Sequence, residues 1–393
     1  MSAKVSRRGF LRGMVGTIAY AASEIGHGFG QEKPTGSVES ERTGSLIPRQ
    51  KNPDNLEFPF ATLDSFITPN ERFYVRNHFE EPKLDSGSWR LKIEGAVQRE
   101  SQLTFDELRK MPARTVTATL ECAGNCRAFL VPKAKGVPWE LGAVGNADWT
   151  GVPLAAILER AGLRDSAVEV VLEGADSGET TAEIRPAGKI HFARSLPLAK
   201  ARSSEVLLAY QMNGVDLPPA HGFPLRAIVP GWYGVASIKW LTRLVVTDRP
   251  FNGFFQSFDY SYFSKEKGLS WVVPITELEL KAQIARPAAG EAIKSDSNYR
   301  IHGAAWTGES NISKVEVSTD GGETWLEARL LEEKARHAWR LWEYAWHTPK
   351  KTGEARIMAR ATNAKGRIQP LERDPDGRNY LISHVLPVDV TIR

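Results

Sequence analysis

Beyond Pro274 the chain keeps to one rhythm. Val315-Glu316-Val317-Ser318, Ala338 to Trp346 and Arg356 to Ala361 alternate along their length, the period of strands with one buried face. Turn signals such as Asp320-Gly321-Gly322 divide these runs, and no helical pattern interrupts them. Short alternating strands without helices describe a β-sandwich of immunoglobulin type. Ahead of Pro274, strand and helix signals mix. The chain therefore reads as α+β: a mixed α/β domain over residues 56–270, then an immunoglobulin-like β-sandwich over residues 271–393.

The first domain carries clear punctuation. Thr104 and Glu107 have capping-box spacing and open a short helix that stops before Pro112. Pro153 to Gly162 reads as an amphipathic helix, with Pro in the first turn, Gly as the cap, and Leu154, Ile157, Leu158 and Ala161 on one face. Val206 to Tyr210 reads as a strand ahead of an Asn213-Gly214 hairpin turn.

Residues 31–55 are polar and read as a linker or surface arm. Ahead of them, Arg7-Arg8-Gly9-Phe10-Leu11, a modest apolar run and Ala19-Tyr20-Ala21 resemble a twin-arginine export signal over residues 1–30. Such signals serve proteins exported already folded, so a periplasmic location is expected. The net charge of +4 owes several positives to that segment. The rest is near neutral, which argues against a general nucleic-acid surface. No apolar stretch is long enough to span a membrane.

The two cysteines, Cys122 and Cys126, share one short segment, Glu121-Cys122-Ala123-Gly124-Asn125-Cys126-Arg127. It follows the β-branched run Arg114 to Leu120, so Cys122 sits where a strand gives way to a turn. A thiolate near a fixed guanidinium ionises readily and is a good soft-metal ligand. Three ordinary readings stand beside that one: a cramped Cys122–Cys126 disulfide, a shared zinc site lacking a second Cys/His pair, or a plain buried cysteine. Phe73 to Phe79 reads as a short exposed strand with Arg76 and His78 on one face, suited to an anion. Further on, His221, Arg226, Ser237 and Lys239, with Gly231 and Gly234 between them, offer the donors a phosphate needs. Their spacing matches neither a P-loop nor a dinucleotide fingerprint.

Taken in order, Tyr74-Val75-Arg76-Asn77-His78, Cys122 to Arg127, His221-Gly222-Phe223-Pro224 through Lys239-Trp240, and the hairpin from Asp320 to Trp325 resemble the sulfite oxidase family of molybdenum enzymes. The resemblance runs from about Phe58 to the C-terminus. It implies that Cys122 is the protein ligand to molybdenum, beside the two dithiolene sulfurs of one molybdopterin. It implies that Arg76, His78, Asp176, His221, Arg226, Ser237 and Lys239 hold the pterin and its phosphate. Arg76, Arg127, Trp149, Tyr260 and Arg378 would face a small anionic substrate, with Arg373 a rival to Arg378. The implied reaction is oxygen-atom transfer that turns sulfite into sulfate and releases two electrons one at a time.

The C-terminal domain implies a homodimer. No Cys-x-x-Cys-His haem attachment motif occurs, so no haem is expected and a c-type cytochrome is the expected acceptor. Many relatives carry arginine where this chain has Cys126, which predicts a less positive pocket rim. Two other readings remain open: a reductase of S-oxides or another oxyanion on the same fold, and an exported β-rich binding protein with no cofactor.

Overall fold

The computed structural model describes residues 45–266, 268–331 and 335–393. The expected export signal, and the arm as far as residue 44, lie outside the described residues. The rest of the arm is built into the fold. Ile47–Gln50 pairs with Asn55–Glu57, and Asn55 and Glu57 are buried. Buried polar groups need partners, and these have them. Asn55 Oδ1 accepts from the Asn77 backbone N–H at 2.9 Å and from Arg76 Nη1 at 3.2 Å. Glu57 accepts from the backbone N–H groups of Glu140 and Gly142 and pairs with Arg49. Of the two readings, linker or surface arm, residues 47–55 form an arm paired into the fold, with most of its residues at the surface.

Two five-stranded sheets form the first body. One runs Val215–Asp216, Leu207–Met212, Val144–Pro153, Arg114–Glu121, with Arg226–Ile228 also paired to Leu207–Met212. The other runs Ser101–Thr104, Arg90–Gly95, Leu241–Thr247, Glu169–Gly178, Ile190–Pro197. The strand Arg114–Glu121 starts exposed and ends buried: Ala118 and Leu120 join the core, and Thr119 and Glu121 are buried with hydrogen-bond partners. It therefore delivers Cys122 into the interior. The helix Leu154–Ala161 buries the expected face, and Gly162 caps it at φ 70°. The capping box at Thr104 and Glu107 forms with both hydrogen bonds.

Phe73 to Phe79 is not a strand. Val75 alone bridges to Leu56. The ladder stops there because the next backbone N–H on that side, at Asn77, is taken by the Asn55 side chain.

The sandwich has a four-stranded sheet, Lys281–Arg286, Asn298–Trp306, Arg340–His347, Arg329–Leu330, facing a five-stranded sheet that contains Ile312–Ser318 and Gly353–Asn363. Ile301, Val315, Trp342, Ile357 and Val390 fill the space between them. The other face of the four-stranded sheet packs on the first body: Ala285, Ala304, Trp306 and Trp339 belong to its core. Trp339 donates to Thr119 Oγ1 from its backbone and to Phe66 O from its indole. The expected boundary at 270/271 falls within Leu269–Pro274, which pairs with Ser261–Glu266 of the first body.

Asn55→Ala leaves the Asn77 N–H buried without a partner. A loss of about 1–3 kcal/mol of stability is expected, measured by denaturant unfolding; an unchanged midpoint would show that the arm does not brace the site.

Candidate active site

Cys122 ends the buried half of its strand and is 6% exposed. Its N–H donates to Ala143 O at 2.9 Å, and its carbonyl accepts from Asn125 N at 2.8 Å, closing the turn. Cys126 takes a left-handed φ of 72°, and the chain then doubles back so that Arg127 lies against the loop. A Cβ at position 124 would stand 2.1 Å from Arg127 Nη2, so a larger residue there would displace that guanidinium. Both cysteines are free thiols, so the disulfide reading falls away.

A cavity opens at Cys122 and is lined from both sheets. Arg76, His78, Cys122, Asp176, His221, Arg226, Ser237, Lys239 and Tyr260 all line it. One sheet supplies Cys122 and Arg226. The other supplies Asp176, which sits where a bulge shifts the register between Glu173 and Ser177 and so re-aims its side chain. The turn Pro219–His221 and the turn after Gly234 bring His221, Ser237 and Lys239.

The charges here are poorly matched. Arg226 donates to two carbonyls, His221 O at 2.9 Å and Ser237 O at 3.2 Å, and its Nε has no partner. Lys239 donates to Ala220 O at 2.8 Å and to Asn77. Among the described residues Asp176 is the one carboxylate on the cavity wall, and its Oδ1 has no partner there. Burial, reinforced by Arg226, lowers Lys239 to about 7. Burial takes Arg226 down to about 10 and raises Asp176 to about 6. Burial beside Lys239 and Arg226 drops His221 to about 3, so it is neutral, with Nε2–H donating to Asn70 O at 3.0 Å. His78 is pushed well down by burial and by Arg76 and Lys239. Its Nε2 lies 2.6 Å from the Tyr260 hydroxyl, and its ring stacks on Phe192. The expected pair of cations on one face is thus one cation, Arg76, and one neutral imidazole.

A second group adjoins Cys122. Arg76 Nη2 reaches the Tyr260 hydroxyl at 3.5 Å. Tyr260 stacks on Tyr380 at 4.8 Å, and the Arg127 guanidinium sits over the Tyr380 ring at 5.1 Å. Burial raises Tyr260 to about 12, so it is a hydrogen-bond donor.

Other expected residues lie elsewhere. Trp149 is fully buried beneath Arg226, 4.7 Å from ring to guanidinium, and supports that cation instead of facing substrate. Arg378 is turned away and donates to Phe258 O, Ser261 O and Ser261 Oγ. Arg373 does not line the cavity either, and Arg127 stands one layer back from it, against Tyr380. Cys126 is not at the rim. It is fully buried, with Sγ 3.6 Å from Lys281 Nζ and from Gln283 Oε1. Sequence reasoning missed Asn77, which anchors Lys239. It missed Tyr380, and Trp139, whose buried indole N–H has no partner and whose ring meets Tyr74 edge-on. Asn77 lay inside a quoted motif; Tyr380 and Trp139 carried no local signal.

These residues fit a molybdenum–pterin cofactor. The partnerless donor of Arg226 and the excess of buried cation call for an anion such as a phosphate. Among the described residues no three His, Cys, Asp or Glu side chains gather as a metal site. A metal at Cys122 therefore draws its other ligands from what it arrives with.

Comparison with known proteins defines the class. Residues 78–255 match the oxidoreductase molybdopterin binding domain, and residues 272–375 match the Mo-co oxidoreductase dimerisation domain. The mitochondrial sulfite oxidase of Rattus norvegicus is 39% identical over 349 residues, covering 84% of this chain and 62% of that protein. The sulfite oxidase of Arabidopsis thaliana is 32% identical over 358 residues, covering 85% of this chain and 90% of that one. The structure of the sulfane dehydrogenase SoxCD from Paracoccus pantotrophus superposes with a TM-score of 0.76 at 24% identity, over 94% of this chain and 92% of that one, and shares its fold. This chain belongs to the sulfite oxidase family of molybdenum oxidoreductases. It spans 62% of the length of the rat relative.

Sulfate should bind the cofactor-free Cys122→Ser chain more tightly at pH 6 than at pH 9, by roughly tenfold. Lys239 loses its charge as pH rises through about 7 and Asp176 gains one through about 6, so both changes oppose the anion. Calorimetry with a flat pH profile, or one that Lys239→Met leaves unaltered, would contradict this assignment.

Proposed function

We propose that this chain oxidises sulfite to sulfate in the periplasm and passes the electrons singly to a c-type cytochrome. The observation that carries the reading is the adjacency of Cys122 to two different anion environments. On one side Arg226, Lys239, Ser237 and His221 suit a phosphate held permanently. On the other, Arg76, Arg127 and Tyr260 suit a small oxyanion that comes and goes.

The bound molybdenum cofactor supplies oxygen-atom transfer and a two-electron sink. The chain does the rest. Arg76 stays protonated despite burial, because Tyr260 and Cys122 favour its charge; its guanidinium orients the anion and screens charge near the thiolate. Tyr260 donates its hydroxyl proton toward an oxygen of the substrate while His78 fixes the phenol. Arg127 is held by Asn379 O at 3.0 Å and Val137 O at 2.9 Å, so it meets the substrate preorganised. The twin-arginine pattern supports export. The dimerisation domain supports a homodimer.

Sulfite-dependent reduction of cytochrome c tests this. Cys122→Ser should abolish turnover. Arg127→Gln should raise KM about tenfold or more with a smaller effect on kcat, as expected for a group that holds the substrate before and during reaction. Loaded enzyme that is inert to sulfite would overturn the substrate assignment.

A further inference from the structure

Side chains alternate along a strand. As Cys122 faces the cavity, Glu121 faces the β-sandwich. Glu121 is 1% exposed and sits in a closed set of contacts. Its Oε1 lies 2.6 Å from Lys281 Nζ and accepts from Asn125 Nδ2 at 3.1 Å. Its Oε2 accepts from Trp306 Nε1 at 2.9 Å. Asn125 Oδ1 accepts from Ala143 N at 3.1 Å, and Ala143 O accepts from Cys122 N. Lys281 and Trp306 are paired across neighbouring strands of the sandwich. Two residues of the C-terminal domain thus grip the residue before Cys122, and through Asn125 they grip the turn after it.

A buried ion pair is a poor device for stability alone, since a well-packed apolar pair usually does as well or better. Its better-attested use is to fix one arrangement among several. Here the arrangement it fixes is the backbone on both sides of a single thiol. Lys281 Nζ also stands 3.6 Å from Cys126 Sγ, so the cation that neutralises Glu121 enters from the other domain beside the small Cys126 side chain.

We propose that the β-sandwich is part of the metal site: Lys281, with Trp306, acts through Glu121 as a positioning residue that sets the geometry of Cys122. This rests on the reading of Cys122 as the metal ligand. The domain matched as a dimerisation domain then has a second role, within its own chain.

The test uses full-length, molybdenum-loaded enzyme and three variants: Lys281→Met, Trp306→Phe and Cys122→Ser. Readouts are molybdenum per chain, the electron paramagnetic resonance spectrum of the half-reduced metal, kcat and KM. Lys281→Met should lower kcat about tenfold, keep KM for sulfite within about twofold, and shift the spectrum. Trp306→Phe removes one N–H and no charge, so it folds even if Lys281→Met does not. It should shift the spectrum in the same sense by a smaller amount. A purely structural role would lower the melting temperature and leave the spectrum of the folded enzyme alone. If Cys122→Ser changes the spectrum while Lys281→Met and Trp306→Phe leave it and kcat at wild-type values, the inference is overturned. If Cys122→Ser itself leaves the spectrum unchanged, the metal-ligand reading fails and takes the inference with it.

Discussion

Buried positive charge without matching acid is the constraint around which this protein is arranged. Among the described residues, Arg226, Lys239 and Arg76 share one cavity with a single carboxylate, Asp176. The fold compensates only in part. It gives Arg226 and Lys239 backbone carbonyls and sets the Trp149 and Trp240 rings against them, at 4.7 and 4.1 Å. It keeps both nearby histidines neutral, since a fourth or fifth cation would be untenable there. What remains is an unmet demand for an anion, next to a thiol. Two sheets, two tight turns and an arm are needed to bring these groups together.

The substrate side is more economical than the sequence suggests. One guanidinium, Arg76, lines the cavity there, while Arg127 stands behind it over the Tyr380 ring and Arg378 is turned away. Arg378 is committed to Ser261 and Phe258. Tyr380 packs against Tyr260 and under Arg127, with its hydroxyl on Asp259 at 2.9 Å. An aromatic brace thus stands where another positive charge was expected. Cys126 cannot set the charge of the rim, because it is buried against Lys281 and Gln283.

Local patterns carried most of what was legible. The alternation after Pro274 marked the sandwich, Thr104 and Glu107 the capped helix, and the β-branched run the strand that presents Cys122. The phosphate-type donors were legible as residue types in one dense stretch. What could not be read was long-range. Nothing local says that Asn55 completes the Arg76 segment, that Lys281 meets Glu121 across 160 residues, or that Trp149 lies under a cation instead of facing the cavity. Arg76 and His78 looked like equal cations because a pattern shows residue types; only burial and neighbours set their charge. Residues 45–55 read as a linker or surface arm because they are polar, and that same polarity is used for hydrogen bonds, as at Asn55.

The central claim is that Cys122 is the protein's own ligand to molybdenum. X-ray absorption at the molybdenum edge tests it most directly, comparing wild type with Cys122→Ser at equal metal loading. The variant should show one fewer sulfur around the metal, with the sulfurs of the pterin retained. An identical sulfur shell in both proteins, or wild-type protein that takes up no molybdenum, would contradict it.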